Sequence, residues 1–155
     1  MKKITAITLI TILASACQVK VNTGDDTGGL PIQGTWKLLT GTLIVKTDTT
    51  VTDYTKDKSF IKIINGDHFA FFLHDLTHGK DSATKMYSAG AGSYTLKDSS
   101  YTEHLEYCDA REWEGHDFPF TISLKNDTLT IQGVEKIDSI GVNRYNIERY
   151  VRLKQ

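Results

Sequence analysis

Two ionisable side chains, Glu103 and Arg149, occur where they could hold a polar group inside a folded domain. Residues 101–107 and 145–153 both alternate along the chain in a way that is typical of β-strands with one buried face. Successive side chains of a strand point to opposite faces, so the more apolar face of each segment carries Glu103 or Arg149 inward. A buried charge is costly unless it is paired. The alternatives are a structural ion pair between these residues, charges that face a water-filled end of the domain, or an anchor for the polar group of a ligand.

The histidines give a weaker indication of chemistry. His104 and Glu106 share the other face of residues 101–107, as two metal ligands can. Zinc usually takes three or four protein ligands, and no spacing brings the remaining histidines to this pair. We therefore predict no metal site and interpret these side chains as solvent-exposed.

Common catalytic motifs are also missing from the sequence. It contains no Gly-x-Ser-x-Gly elbow. Gly90-Ala91-Gly92-Ser93 leads into a segment with the pattern of a strand, whereas a phosphate-binding loop leads into a helix. A bulge or close strand packing explains these glycines better, and no neighbour of Cys108 would activate its thiol. We expect neither enzyme activity nor a cofactor.

The residues before Cys17 indicate that this cysteine is a site of covalent modification. Residues 2–3 are Lys, residues 4–13 are uncharged and mostly apolar, and residues 14–16 are small. This order is typical of a secretory signal, and the apolar run is shorter than the ~20 residues that span a bilayer as a helix. Small residues directly before a Cys resemble the motif read by lipoprotein signal peptidase. We predict that residues 1–16 are removed and that Cys17 carries a lipid.

The remaining N-terminal segment and the charge limit the possible partners. Residues 17–33 are rich in Gly and polar types, which predicts a lipidated flexible tether before a domain at 34–155. The alternative is that part of this segment packs on the domain through Leu30 and Ile32. The formal net charge of −1 becomes −3 without the two Lys of the signal, so nucleic acid is not an expected partner. Gln18, rather than Asp, follows the lipidated Cys, which favours an outer-membrane location, on the periplasmic face or the cell surface.

From residue 34 onward, short β-rich runs alternate with turn signals, and no window has the period of an amphipathic helix. Asn65-Gly66 is a strong hairpin signal. The predicted strands are residues 35–45, 59–64, 68–74, 92–96, 101–108, 118–124, 128–133 and 145–153. About eight strands joined as hairpins predict an all-β, antiparallel up-and-down barrel, which removes exposed sheet edges.

Gly34-Thr35-Trp36 resembles the Gly-x-Trp signature that opens the first strand of lipocalins, in which an Arg near the chain end lies over the Trp. Arg149 or Arg152 is the candidate for that position, with cation–π attraction as the physical reason. Further segments are similar to a lipocalin-like, calycin-type family of bacterial lipoproteins of undefined function: Asp67-His68-Phe69, Gly92-Ser93-Tyr94-Thr95-Leu96, Tyr101-Thr102-Glu103-His104-Leu105-Glu106-Tyr107 and Asp127-Thr128-Leu129. The resemblance implies a barrel in the cell envelope and brings no established activity.

The leading hypothesis is a membrane-anchored, non-enzymatic binding module that holds a small, partly apolar molecule. The candidate lining residues are Phe69, Phe71, Tyr101, Glu103, Tyr107 and Arg149. The alternative is a structural or interaction protein, with a filled barrel whose outer face or loops bind a protein of the envelope. Small eight-stranded barrels take both forms, so a cavity separates the two hypotheses.

Overall fold

The computed structural model describes residues 30–154, which form nine antiparallel strands and two short 3₁₀ turns. The strands are β1 (Gly34–Val45), β2 (Asp48–Asp53), β3 (Lys58–Asn65), β4 (His68–Asp75), β5 (Tyr87–Lys97), β6 (Ser100–Cys108), β7 (His116–Lys125), β8 (Thr128–Ile137) and β9 (Val142–Arg152). Neither helical turn in this part of the chain has the length or apolar character that a membrane crossing needs. The predicted signal, Cys17 and most of the predicted tether lie outside the described residues.

The strands close into a barrel because β1 has partners on both sides. From β3 to β9 each strand pairs with the next, and β1 pairs with β3 and with β9. Trp36 of β1, for example, lies opposite Lys62 of β3 and Arg152 of β9. The prediction of an all-β, antiparallel up-and-down barrel of eight strands is thereby confirmed.

One strand was not predicted from the sequence. β2 pairs with the second half of β1, from Thr40 to Val45, and lies outside the eight-stranded ring. Five of its six residues are exposed, so it lacks the apolar alternation that marks a half-buried strand. After β2 the backbone N–H of Tyr54 donates to the carbonyl of Leu39 (2.9 Å), and the Tyr54 ring packs edge-on against Phe60. Tyr54 therefore fills the wall between β1 and the start of β3.

A bulge between β5 and β6 reverses which side chains face inward. The register shifts between Ala91 and Gly92, so that Ala91 pairs with Tyr107 and Gly92 with Leu105. A Cβ on Gly92 would lie 1.9 Å from the carbonyl oxygen of His104, so the close approach requires glycine. The expected bulge is present, and its extra residue, Glu106, shifts the alternation by one position beyond it.

The end of the barrel where β1 begins is filled and covered. Trp36 is fully buried, and its Nε1 donates to the carbonyl of Ile32 (2.7 Å). The guanidinium carbon of Arg152 lies 4.1 Å from the centre of the Trp36 ring, and its two terminal nitrogens donate to the carbonyls of Gln33 (2.5 Å) and Pro31 (2.8 Å). We call this the closed end.

The covering residues shift the predicted domain boundary. Ile32 is buried in the core, and Leu30 packs against it. Residues 30–33 belong to the predicted tether, and the alternative that Leu30 and Ile32 pack on the domain is the one observed. The carbonyls of residues 31–33 accept hydrogen bonds from Trp36 and Arg152. Gly34 follows with φ +136°, and a Cβ there would lie 2.7 Å from an Arg152 nitrogen. Glycine lets the chain turn from this cover into β1.

Trp36→Ala is expected to destabilise the barrel by about 3–5 kcal/mol, since it leaves a cavity and the carbonyl of Ile32 loses its donor. Chemical denaturation measures this difference. Trp113→Ala, at the partly exposed Trp near the opposite end, is the matched control and should cost less. An equal or larger loss for Trp113→Ala would contradict a core centred on Trp36.

Candidate functional site

The half of the barrel away from the closed end is hollow. A cavity of about 270 Å³ lies between the strands, at the end where β6 and β8 finish and β5, β7 and β9 begin. Its apolar wall includes Leu38, Phe60, Phe71, Leu105, Phe118 and Phe120. Half-buried residues form its rim, namely Leu43, Thr52, Tyr54, Ser88, Cys108, Ala110 and Trp113. The cavity is therefore a partly open pocket with an aromatic wall, and we call this end the mouth.

A buried ion cluster lies at the base of the cavity. Lys62 on β3 has a side chain only 4 % exposed, and its Nζ lies 2.5 Å from Glu103 Oε1 on β6 and 3.9 Å from Glu148 Oε2 on β9. The Tyr101 hydroxyl donates to Glu103 Oε1 and the Tyr150 hydroxyl to Glu148 Oε2, each at 2.8 Å. These five residues are the Lys62 cluster, which connects three separate strands of the barrel wall.

The charges of the cluster follow from the surroundings of each group. Burial alone lowers the pKa of Lys62, but the carboxylates of Glu103 and Glu148 raise it by more, so it ends above its ordinary value. Burial is the main cause that raises the pKa of Tyr101 and of Tyr150. The neighbouring carboxylates, Glu103 for Tyr101 and Glu148 for Tyr150, raise these pKa values further. At neutral pH the cluster thus contains a charged ammonium and two uncharged phenols that donate hydrogen bonds.

A second polar group lies nearer the mouth. Arg144 Nε donates to Glu135 Oε2 (2.5 Å), and Asn146 Nδ2 donates to Glu135 Oε1 (3.0 Å). The Arg144 guanidinium also lies over the Trp113 ring, 4.9 Å from its centre. Burial raises the pKa of Glu135, an effect that Glu148 reinforces and Arg144 opposes. Both oxygens of Glu135 are therefore occupied by donors from β9.

The structure separates the six predicted lining residues into three groups. Phe71 and Glu103 line the cavity. Phe69 and Tyr101 are buried in the core rather than on the cavity surface. Tyr107 and Arg149 lie on the outer surface.

The prediction for Tyr107 was wrong because of the bulge in β6. Tyr107 is 67 % exposed, whereas the next residue, Cys108, lines the cavity. A one-residue slip moves each following side chain to the other face of the sheet. Strict alternation counted from Tyr101 therefore gives the wrong face beyond Glu106.

The prediction for Arg149 was wrong because the interior of this barrel is polar. The inward side chains of β9 are Arg144, Asn146, Glu148 and Tyr150, and the more apolar set with Tyr145 and Ile147 faces outward. Arg149 is exposed, and the partner of Glu103 is Lys62. Sequence reasoning missed Lys62, although it lies between Phe60 and Ile64 at the alternate spacing of one strand face.

The histidines and Cys108 give no further site. Within residues 30–154, no group of three or more His, Cys, Asp or Glu side chains could hold a metal ion. His104 contacts Asp117, and Glu106 accepts from Ser93. Burial raises the pKa of the Cys108 thiol, which leaves it a poor nucleophile.

Comparison with known proteins adds no family to this description. Neither the family models nor the curated proteins searched give a match to the chain. The fold is therefore described by its own topology, a closed eight-stranded antiparallel barrel with one additional strand.

Lys62→Met is expected to destabilise the protein by about 3–5 kcal/mol, because it leaves buried carboxylates without their cation. The double variant Lys62→Met/Glu103→Gln should be more stable than Lys62→Met alone, since it removes one of the stranded charges. Urea denaturation of both single variants and the double variant measures the coupling.

Arg149→Met is the matched control for these Lys62 and Glu103 variants, because Arg149 is an exposed cation on β9. It should change stability by no more than about 0.5 kcal/mol. Additive effects of Lys62→Met and Glu103→Gln, or a large loss from Arg149→Met, would contradict the assigned pairing.

Proposed function

We propose that this protein is a non-enzymatic binding module that holds one small molecule in the cavity at the mouth of the barrel. The observation that carries the proposal is the pocket itself, which combines an aromatic and aliphatic wall with a few convergent polar groups. This combination is typical of small-molecule sites. The rival hypothesis of a filled barrel needs side chains in the space where the cavity lies.

The size of the cavity favours a compact ligand. Its volume of about 270 Å³ lies just below the range of typical ligand pockets, roughly 300 to 1,000 Å³. Lys62, Glu103 and Glu148 lie at its base, so a long acyl chain would place methylenes against charges. A ligand about the size of one aromatic ring with a short polar arm fits this space better.

Two pairs of aromatic rings contribute to the apolar wall. Phe60 and Phe71 lie parallel, with ring centres 5.7 Å apart and planes at 9°, and Trp113 packs against Phe118 near the rim. Aromatic walls of this kind bury the body of a ligand, while the polar base fixes its orientation.

Binding is tested by saturation-transfer NMR with indole, a neutral aromatic probe. Leu105→Trp fills the cavity from its wall and is expected to abolish transfer from the protein to indole. Val134→Trp places the same ring on the exposed outer face of β8 and is the matched control. Equal transfer in the two variants, or none with the unsubstituted protein, would contradict a binding cavity.

We also propose that the protein is held in the cell envelope by lipid on Cys17. The motive is the cationic, apolar and small-residue order of the first sixteen residues before that Cys. The first described residues pack at the closed end, opposite the mouth. An anchor attached through them leaves the mouth free for a ligand. Gln18 after the Cys supports the outer membrane as its location.

Cys17→Ala is expected to release the protein from membranes, because it removes the residue that would carry the lipid, while the barrel remains folded. Fractionation of cells after a high-salt wash measures the attachment, and thermal melting of the soluble fraction checks the fold. Cys108→Ala is the control and should remain in the membrane pellet. A Cys17→Ala protein that still pellets would contradict lipid anchoring.

A further inference from the structure

We propose that the cavity selects a small organic cation, an amine whose ammonium group binds the carboxylates of Glu103 and Glu148. This inference rests on the proposed binding function and names the chemical class of its ligand. It follows from the balance of charges around the cavity and from the carboxylate oxygens that remain available.

The side chains that line the cavity have a surplus of negative charge. Two cations, Lys62 and Arg144, face three carboxylates, those of Glu103, Glu135 and Glu148. Glu135 is matched by Arg144, which leaves Lys62 between two carboxylates. One formal negative charge at the base therefore has no cation of its own. In a site shielded from water such a charge attracts a cation more strongly than it would at the surface.

The surplus charge is available to a ligand because two carboxylate oxygens are free. Lys62 and Tyr101 both bind Oε1 of Glu103, and Tyr150 binds Oε2 of Glu148. Within residues 30–154, Oε2 of Glu103 and Oε1 of Glu148 accept no hydrogen bond, yet no buried side-chain oxygen is left without a partner there. The two oxygens must therefore be accessible, and the cavity is the surface that both residues line.

An ammonium group suits these acceptors. It carries three donors and no acceptor, so each of its hydrogens can be donated to a carboxylate oxygen. Hydrogen bonds between charged groups are stronger than those between neutral ones. The phenols of Tyr101 and Tyr150 already donate to the other oxygens and stay uncharged, so they do not compete for the ligand.

An acidic ligand fits the cavity less well. Its carboxylate would be repelled by the carboxylates of Glu103 and Glu148 at the base of the cavity. Arg144 is the cation nearest the mouth. Its Nε donates a hydrogen bond to Glu135, and its guanidinium lies over the Trp113 ring. Lys62 is already held between two carboxylates, so among the cations of the lining the terminal nitrogens of Arg144, close to solvent, are the ones left for an acid.

The test compares three probes of similar size, 2-phenylethylamine, 2-phenylethanol and 3-phenylpropanoate. Each is titrated by calorimetry into the chain from residue 17 onward with Cys17→Ala, which retains the whole barrel. We expect the amine to bind about tenfold or more tightly than the alcohol, and the acid to bind most weakly, as charge-assisted hydrogen bonds predict.

Glu148→Gln removes the surplus charge and keeps the side-chain shape. It is expected to bring the affinity for the amine down to that for the alcohol, about a tenfold loss, with the alcohol unchanged. Glu112→Gln, an exposed carboxylate outside the cavity, is the control and should change neither affinity. If Glu148→Gln fails to fold, the ranking of the three probes on the unsubstituted barrel decides the question.

The outcomes separate this inference from the proposed function. Equal binding of amine and alcohol would overturn the selection of a cation and leave the binding cavity intact. Tightest binding of the acid would overturn it too and move the polar site to Arg144. Failure of all three probes, together with failure of indole, would overturn both proposals.

Discussion

Burial of the Lys62 ammonium between the carboxylates of Glu103 and Glu148 is the constraint on which the interior of this barrel depends. A lone charge in that position would cost several kcal/mol, so the three side chains must meet. They come from β3, β6 and β9, which are not neighbours in the sheet. The pairing register of these strands is therefore fixed by charge as well as by apolar packing. A slip of one residue in any of them would turn its charge outward and leave its partners unpaired.

The same cluster divides the barrel into a filled half and a hollow half. On one side, Trp36 fills the closed end beneath Arg152 and the chain segment of residues 31–33. On the other side, charged side chains replace the apolar side chains that would otherwise meet at the centre. The rings of Phe60 and Phe71 stack along the wall. The paired charges of the Lys62 cluster and the flat rings of the wall do not fill the centre of the barrel. The space that remains above the cluster is the cavity.

The sequence predicts the architecture well because strand alternation and turn chemistry are local signals. The Asn65-Gly66 signal lies at the hairpin between β3 and β4, whose two turn residues are Gly66 and Asp67. The Trp of Gly34-Thr35-Trp36 packs beneath an Arg from the chain end, which the structure identifies as Arg152. β2 gives no such signal because nearly all of its side chains face solvent.

The candidate site could be predicted only in part. Glu103 was placed correctly because its strand has an apolar inner face up to the bulge. Arg149 was misplaced because the inner face of β9 is the more polar one, so hydrophobicity pointed to the wrong side. Tyr107 was misplaced by one extra residue in β6, and such a bulge depends on contacts between strands that are distant in sequence. Lys62 was missed although its spacing with Phe60 and Ile64 places it on the inner face, because its carboxylate partners come from β6 and β9, which are distant in sequence.

The most direct test of this account is the pKa of Lys62, measured by NMR of its side chain with Lys62→Met for assignment. Burial by itself lowers the pKa of a lysine, whereas two nearby carboxylates raise it. With Glu103 and Glu148 in place, Lys62 should titrate above its ordinary value of 10.5. Because the folded-state pKa is raised, the stabilisation from this charge is complete below the pKa of the unfolded chain and is lost as the pH rises through the folded value. A Lys62 that titrates below 10.5 would show a buried ammonium without its carboxylates, and it would contradict the ion cluster on which the cavity depends.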